Sequence, residues 1–305
     1  MNFYRLKNFS NEKTERLRSI LLDLNLDNIF NPCYKKIDKN HYISFRANSK
    51  LKYDSIESFI LILDQKYKIV NFTNLSELYK NDYGIYKVSD PKLCVLNKLL
   101  FLTFNTGPSI DGNRNDIYLA EINKDFPKPK KCIYEKRMLM EKNWAFYIVK
   151  NKLMVLYSLK PLVTLEAFLI EKDKIIFRNI CDLEDSDDFS KGLSIGSDIQ
   201  KINDKYFLIA HEKRFLYKKK RIYFGRLVCL SLLDKKFKII KIYPQRYIHS
   251  YRSLLGTIKK RNKNLISCTY FSGFTYDKNK NTILFSYGIN DFYFSFAALP
   301  FKSII

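Results

Sequence analysis

The sequence predicts an all-β protein, a five-bladed β-propeller with one short N-terminal helix. Three observations lead there. A unit of apolar strand, Lys/Asn/Asp turn, second apolar strand and third strand recurs along the chain. The turn positions Asn97, Asn151 and Asn203 lie 54 and 52 residues apart, a steady period. The segments between turns alternate in polarity and are rich in β-branched and aromatic residues, which favours strands over helices. A self-similar unit of about fifty residues made of strands is the mark of a propeller, with any site at one end of the central channel.

In chain order, residues 10–25 read as the helix. Ser10 can cap it, and Leu17, Ile20, Leu21 and Leu24 share one face, expected to pack on the propeller rim. Residues 1–30 form an N-terminal segment around that helix, and 31–305 a single propeller. The first unit turns at Lys39-Asn40, with strands at 42–45, 59–63 and 67–70. The second turns at Asn97-Lys98, with strands at 99–104 and 117–122. The third turns at Asn151-Lys152, with strands at 153–157, 165–170 and 175–177. The fourth turns at Asp204-Lys205, with strands at 206–210, 227–232 and 237–240. The fifth carries an irregular insertion at 247–261 before its turn at Lys280-Asn281 and its strand at 283–287.

The 305 residues suit one propeller, and 46% apolar content supplies a large core. The N-terminus lacks the apolar stretch of a signal peptide, and no run is long enough to cross a membrane. The six cysteines are scattered without zinc or redox spacing, so they read as buried hydrophobes in a reduced, cytoplasmic compartment. The net charge of +23 would suit nucleic acid, but the lysines are spread over every turn and no recognition module is present. The composition therefore argues against a nucleic-acid partner and for an anionic substrate, or peripheral contact with anionic lipid headgroups. The acidic run at 182–188 lacks the glycine and terminal glutamate of a calcium loop, and three scattered histidines do not make a zinc site. No metal or cofactor is expected.

Polar residues recur at the expected inner-strand ends: Asn31-Pro32 and Arg46-Ala47, Ser89-Asp90-Pro91-Lys92 and Asn105, Lys142-Asn143-Trp144 and Lys160, Gly196 to Asp198 with His211 and Tyr223, then Tyr287-Gly288 and Asp291. Taken in order these segments resemble the five-bladed propellers of the family-130 glycoside phosphorylases and their β-mannoside-building glycosyltransferase relatives. The resemblance implies an inverting glycosyl transfer using a sugar 1-phosphate or nucleotide-sugar donor, with mannose as the sugar. It implies that Asp90 is the general acid, a role suited to a carboxyl whose pKa is raised by a partly desolvated site. It places Lys142, Lys160, His211 and Tyr223 around the phosphate, and Arg46, Asn105, Asp198, Tyr287 and Asp291 on the sugar, with Trp144 as a stacking face. Ser89, Lys92 and Asn143 depart from the family's acid, arginine and aspartate. Five-bladed hydrolases keep a base where this chain has Asn31, so transfer to phosphate or to a sugar is favoured over hydrolysis. Each residue also has a plainer use. Asp90 can cap a turn, Asp291 can close one, and His211 and Trp144 can belong to the core. A non-catalytic propeller that binds glycan or a protein partner is the alternative function.

Overall fold

The computed structural model describes residues 3–48, 55–107, 115–123, 126–180, 192–216 and 220–305. The chain folds as a nearly all-β, propeller-like protein. A first strand β1 (Phe3–Arg5) precedes helix α1 (Glu12–Leu22). Antiparallel groups then follow in chain order. The first is β2 (Asp27–Ile37), β3 (Asn40–Asn48), β4 (Ile56–Leu63) and β5 (Ile69–Asn74). After helix α2 (Leu75–Tyr83) comes the second, β6 (Ser89–Leu96), β7 (Leu99–Asn105), β8 (Ile117–Glu121) and β9 (Lys130–Tyr134). The third is β10 (Ala145–Val149), β11 (Lys152–Leu159), β12 (Leu162–Ile170) and β13 (Lys174–Asn179). In the fourth, β14 (Leu193–Ile195) and β15 (Gln200–Ile202) share one partner, β16 (Lys205–Phe215), which leads to β17 (Arg221–Leu233) and β18 (Lys236–Ile242). Strand β19 (Arg246–Ile248) and helix α3 (Tyr251–Leu254) precede the last group, β20 (Leu265–Asp277), β21 (Thr282–Ile289) and β22 (Tyr293–Pro300).

The core explains the arrangement. Each apolar cluster among the described residues fills the seam between two successive groups. Cys33 and Ile60 of the first meet Leu93 and Leu102 of the second. Leu119 meets Trp144 and Phe146, then Met154 and Leu156 meet Leu208 and Val228, and Ile209 and Leu227 meet Phe271 and Phe285. The last seam returns to the start, where Leu284 and Phe296 meet Ile43 and Phe45. The groups thus close into a ring. Strands near the axis are covered on both faces, which is why β2 is buried continuously from Phe30 to Lys35 instead of at alternate positions. Each fully buried Leu, Ile or Phe contributes roughly 1.5–3 kcal/mol to these seams.

The helix at 10–25 is present, with Leu17 and Leu21 buried and Ile20 and Leu24 packed beside them against β22. Its cap is Asn11 rather than Ser10. The Asn11 side chain accepts from the Thr14 amide, and Thr14 returns the bond to the Asn11 amide, while Ser10 turns to Glu15. A second helix was not expected. Asn74 caps α2 by accepting from the Ser76 and Glu77 amides, and Gly84 ends it in the left-handed conformation (φ 68°). These signals are legible in the sequence but fall inside the strand period, between the outer strand expected at 67–70 and the next unit. Beyond the expected pattern, β9 pairs with β13 and β17 with β20, both parallel, and β1 pairs with β19. No helix among the described residues is long and apolar enough to cross a membrane.

Candidate active site

At one end of the ring the inner-strand ends surround a cavity of about 730 Å³. Local backbone geometry aims its polar residues. Asn31, Asp90, Asn143 and Asp291 all line it, and all have positive φ, at 51°, 49°, 60° and 54°. Asn and Asp tolerate this left-handed region better than other side chains. The register of β2 on β3 shifts around Asn31, and that of β6 on β7 around Asp90. These bulges, each just before a proline, swing the side chain out of the pleat and towards the axis.

Asp90 is paired with Arg46, whose Nη1 donates at 2.8 Å. Burial by itself would raise the Asp90 pKa, but Arg46, Lys142 and Lys92 together hold it below the ordinary carboxylate value. This corrects the expectation of a raised pKa at this position. Arg46 is correspondingly engaged with a carboxylate rather than presented whole to a sugar. Asp291 behaves oppositely. Burial and the neighbouring Asp90 charge raise its pKa, against the pull of Arg46 and Lys142 and a hydrogen bond from Asn31. Two carboxyls of one cavity are thus pushed apart, the pattern of groups set for different protonation states. Gly288 makes room for Asn31, because a Cβ there would sit 1.8 Å from Asn31 Oδ1.

The cavity brings together Arg46, Asp90, Lys142, Lys160, His211, Tyr223 and Asp291 of the expected site. His211 departs from its expected part as a cation. It is buried, its Nε2 accepts from the Phe271 amide at 2.8 Å, and burial lowers its pKa to about 3. The imidazole is neutral, with its proton on Nδ1. Four expected residues lie outside the cavity. Trp144 is 3% exposed and packs edge-on against Tyr157 and Phe177 while donating to Glu141 at 2.7 Å. Tyr287 is fully buried among Phe271 and Phe285, within 3.3 Å of His249 Nδ1. Asn105 ties the end of β7 by accepting from the Gly107 amide and donating to Ser89 O. Asp198 lies deeper in the channel, ion-paired with Lys35 at 2.6 Å and hydrogen-bonded by Gln200.

Lys92, which stands where the resembled family has an arginine, is also structural. It is buried, donates to Asn143 Oδ1 at 2.6 Å and to Gly196 O, and lies over the Tyr270 ring. Burial lowers its pKa to about 8. The sequence reading missed Lys213, Arg221, Arg261 and Tyr270, all of which line the cavity. Arg221 and Arg261 end two short basic runs, at 218–221 and 259–261, of the kind that sequence alone assigns to solvated loop tips. Only the pairing of β17 with β16 and β20 shows that Arg221 stands at the cavity wall. Among the described residues no group of three or more His, Cys, Asp or Glu is gathered as a metal site, and the acidic run at 182–188 lies outside them.

No protein-family model and no curated protein sequence matches the chain. Solved structures are similar to it. A glycosyl hydrolase from Bacteroides ovatus is 13% identical, with a TM-score of 0.60 over 90% of this chain and 85% of that one. A GDP-Man-dependent mannosyltransferase from Leishmania mexicana is 12% identical, with a TM-score of 0.54 over 92% and 88%. A mannose phosphorylase from the same organism, in complex with phosphate ion, is 11% identical, with a TM-score of 0.52 over 95% and 93%. At such identities the likeness lies in the fold, and that fold is the propeller-like one of glycoside hydrolases, a mannosyltransferase and a mannose phosphorylase.

Proposed function

We propose that the protein is a carbohydrate-active enzyme that moves a glycosyl unit, with inversion, between a phosphate-type leaving group and a sugar hydroxyl. The mannose-specific neighbours and the family resemblance support mannose as that unit. The observation that carries the reading is Asp90: a carboxylate at the cavity, ionised beside Arg46, with Lys142, Lys160, Lys213, Arg221 and Arg261 lining the same cavity.

An ionised carboxylate suits the synthetic direction. Asp90 takes the proton of the acceptor hydroxyl as that oxygen attacks the anomeric carbon, and the bond to the donor phosphate breaks with its electron pair. The leaving phosphate needs no proton when Lys142, Lys160 and Tyr223 take up its charge. In phosphorolysis the same Asp90 returns the proton as the acid. Asn31 cannot act as a base, so water is not activated at the position used by hydrolases. Asp291, whose pKa is raised by burial and by the Asp90 charge and which Asn31 holds by a hydrogen bond, is placed to hydrogen-bond a sugar hydroxyl.

The test is a donor screen on purified protein, following phosphate or nucleotide release from sugar 1-phosphates and nucleotide sugars with mannosides as acceptors. Asp90→Asn should lower turnover about 10²–10⁴-fold while the melting temperature stays close to that of the parent. Near-normal turnover in that variant removes Asp90 from the chemistry. The second reading, a glycan- or protein-binding propeller without turnover, is favoured by the ion pair that already engages Asp90 with Arg46. Binding of a mannoside by folded protein that is silent on every donor would select it.

A further inference from the structure

The cationic wall is longer than one phosphate needs. Strands β14, β16, β17 and β20 lie side by side there, and on β16 and β17 alternate residues line the cavity. On β16 these are His211 and Lys213, with Phe215 next on the same strand face beyond the lining; on β17 they are Arg221 and Tyr223, with Gly225 next on the same face. Cross-strand pairing sets them in rungs: His211 opposite Gly225, Lys213 opposite Tyr223, and Phe215 opposite Arg221. Successive rungs are about 6.8 Å apart, two residues along an antiparallel strand. The innermost rung is neutral, the next pairs an ammonium with a phenol, and the outermost pairs a guanidinium with an aromatic ring.

Two further features mark the outer rungs. Among the described residues Arg221 Nε is buried without a hydrogen-bond partner, although the same guanidinium bonds Tyr223. A buried donor left over in a cavity wall calls for an acceptor. Phe215 is 63% exposed, yet its ring is held under Lys213 Nζ at 4.7 Å from the centroid. An aromatic residue beyond a line of cations is a surface on which a base can stack.

We propose that this wall is the track for a nucleoside diphosphate. One phosphate lies at Lys213 and Tyr223, the other reaches Arg221, and the base lies on Phe215 at the mouth. This rests on the glycosyl-transfer reading only for the direction of the ligand, with the sugar inward at Asp90 and Asp291. Arg261, exposed and bonded to Asn48 at 2.7 Å, flanks the same mouth. A sugar 1-phosphate would use the Lys213–Tyr223 rung and leave Arg221 and Phe215 idle.

The experiment is calorimetric titration of the full chain with inorganic phosphate, pyrophosphate, and guanosine, uridine and adenosine diphosphates. At least one nucleoside diphosphate should bind about tenfold or more tightly than phosphate, the worth of an added charge-assisted contact. Arg221→Met should remove that advantage for pyrophosphate and nucleotide alike and leave phosphate unchanged. Phe215→Ala should weaken the nucleotide and spare pyrophosphate. If Arg221→Met does not fold, the exposed Phe215 variant still decides the matter. Nucleotides that bind no better than phosphate, or binding indifferent to Phe215→Ala, overturn the proposal. Turnover of sugar 1-phosphates without a nucleotide preference would overturn it and leave glycosyl transfer standing. Rung-dependent nucleotide binding without any transfer would do the reverse.

Discussion

Two ion pairs, each of a basic side chain with an aspartate, stand at different depths in this propeller. Arg46–Asp90 lies at the cavity, with side chains 15% and 11% exposed; Lys35–Asp198 lies in the channel, at 2% and 6%. In the first, burial is outweighed by Arg46, Lys142 and Lys92 together, so Asp90 stays below its ordinary pKa. In the second, burial outweighs the Lys35 ammonium, and Asp198 is raised. Asp90 can meet a substrate hydroxyl because the bulge at its positive-φ backbone turns it towards open space. Asp198 is used up holding β2, β20 and the fourth group together, since Lys35 also donates to Phe274 O at 2.9 Å. The difference between a site residue and a scaffold residue here is access, not residue type.

Removing one partner of the deeper pair should have the largest effect. Lys35→Met leaves Asp198 buried without its cation and should cost about 3–5 kcal/mol, read from urea unfolding. A loss below about 1 kcal/mol would mean that the pair is better hydrated than its burial indicates. Gly288→Ala acts on the cavity side alone. Its Cβ collides with Asn31, so a cost of about 1–3 kcal/mol is expected, together with a fall in turnover as Asn31 leaves Asp291. Turnover unchanged in that variant would separate Asn31 from the reaction.

The smallest effect is a pair of opposite pH dependences. The folded pKa of Asp90 is depressed, so its contribution is present above the ordinary value of 3.8 and fades as pH falls below it. The folded pKa of Asp198 is raised, so its contribution is complete below 3.8 and is lost as pH rises through the higher folded value. Plotting unfolding midpoint against pH, Asp90→Asn should flatten the decline on the acid side of that value and Asp198→Asn the decline above it. The same slope in both variants would show that the two pairs do not differ in the way their surroundings imply.

The sequence by itself determined a great deal. The steady turn spacing and alternating apolar strands gave the all-β repeat, because each strand must hide one face against its neighbour and that need is written into local pattern. Motif order placed seven expected residues at the cavity, Asp90 and Arg46 among them. Trp144, Tyr287, Asn105 and Asp198 looked equivalent to those seven in sequence, yet the fold turned them into core, ties and ion pairs. Helix α2 escaped notice because its caps fall inside the strand period. Arg221 and Arg261 looked like loop-tip charges because the parallel pairing of β17 with β20 has no local signature. Only the tertiary structure decided which carboxyl has its pKa lowered, which have it raised, and which lysine is structural. Those properties depend on distances between residues far apart in the chain, such as Lys35 and Asp198, and local pattern holds no record of such distances.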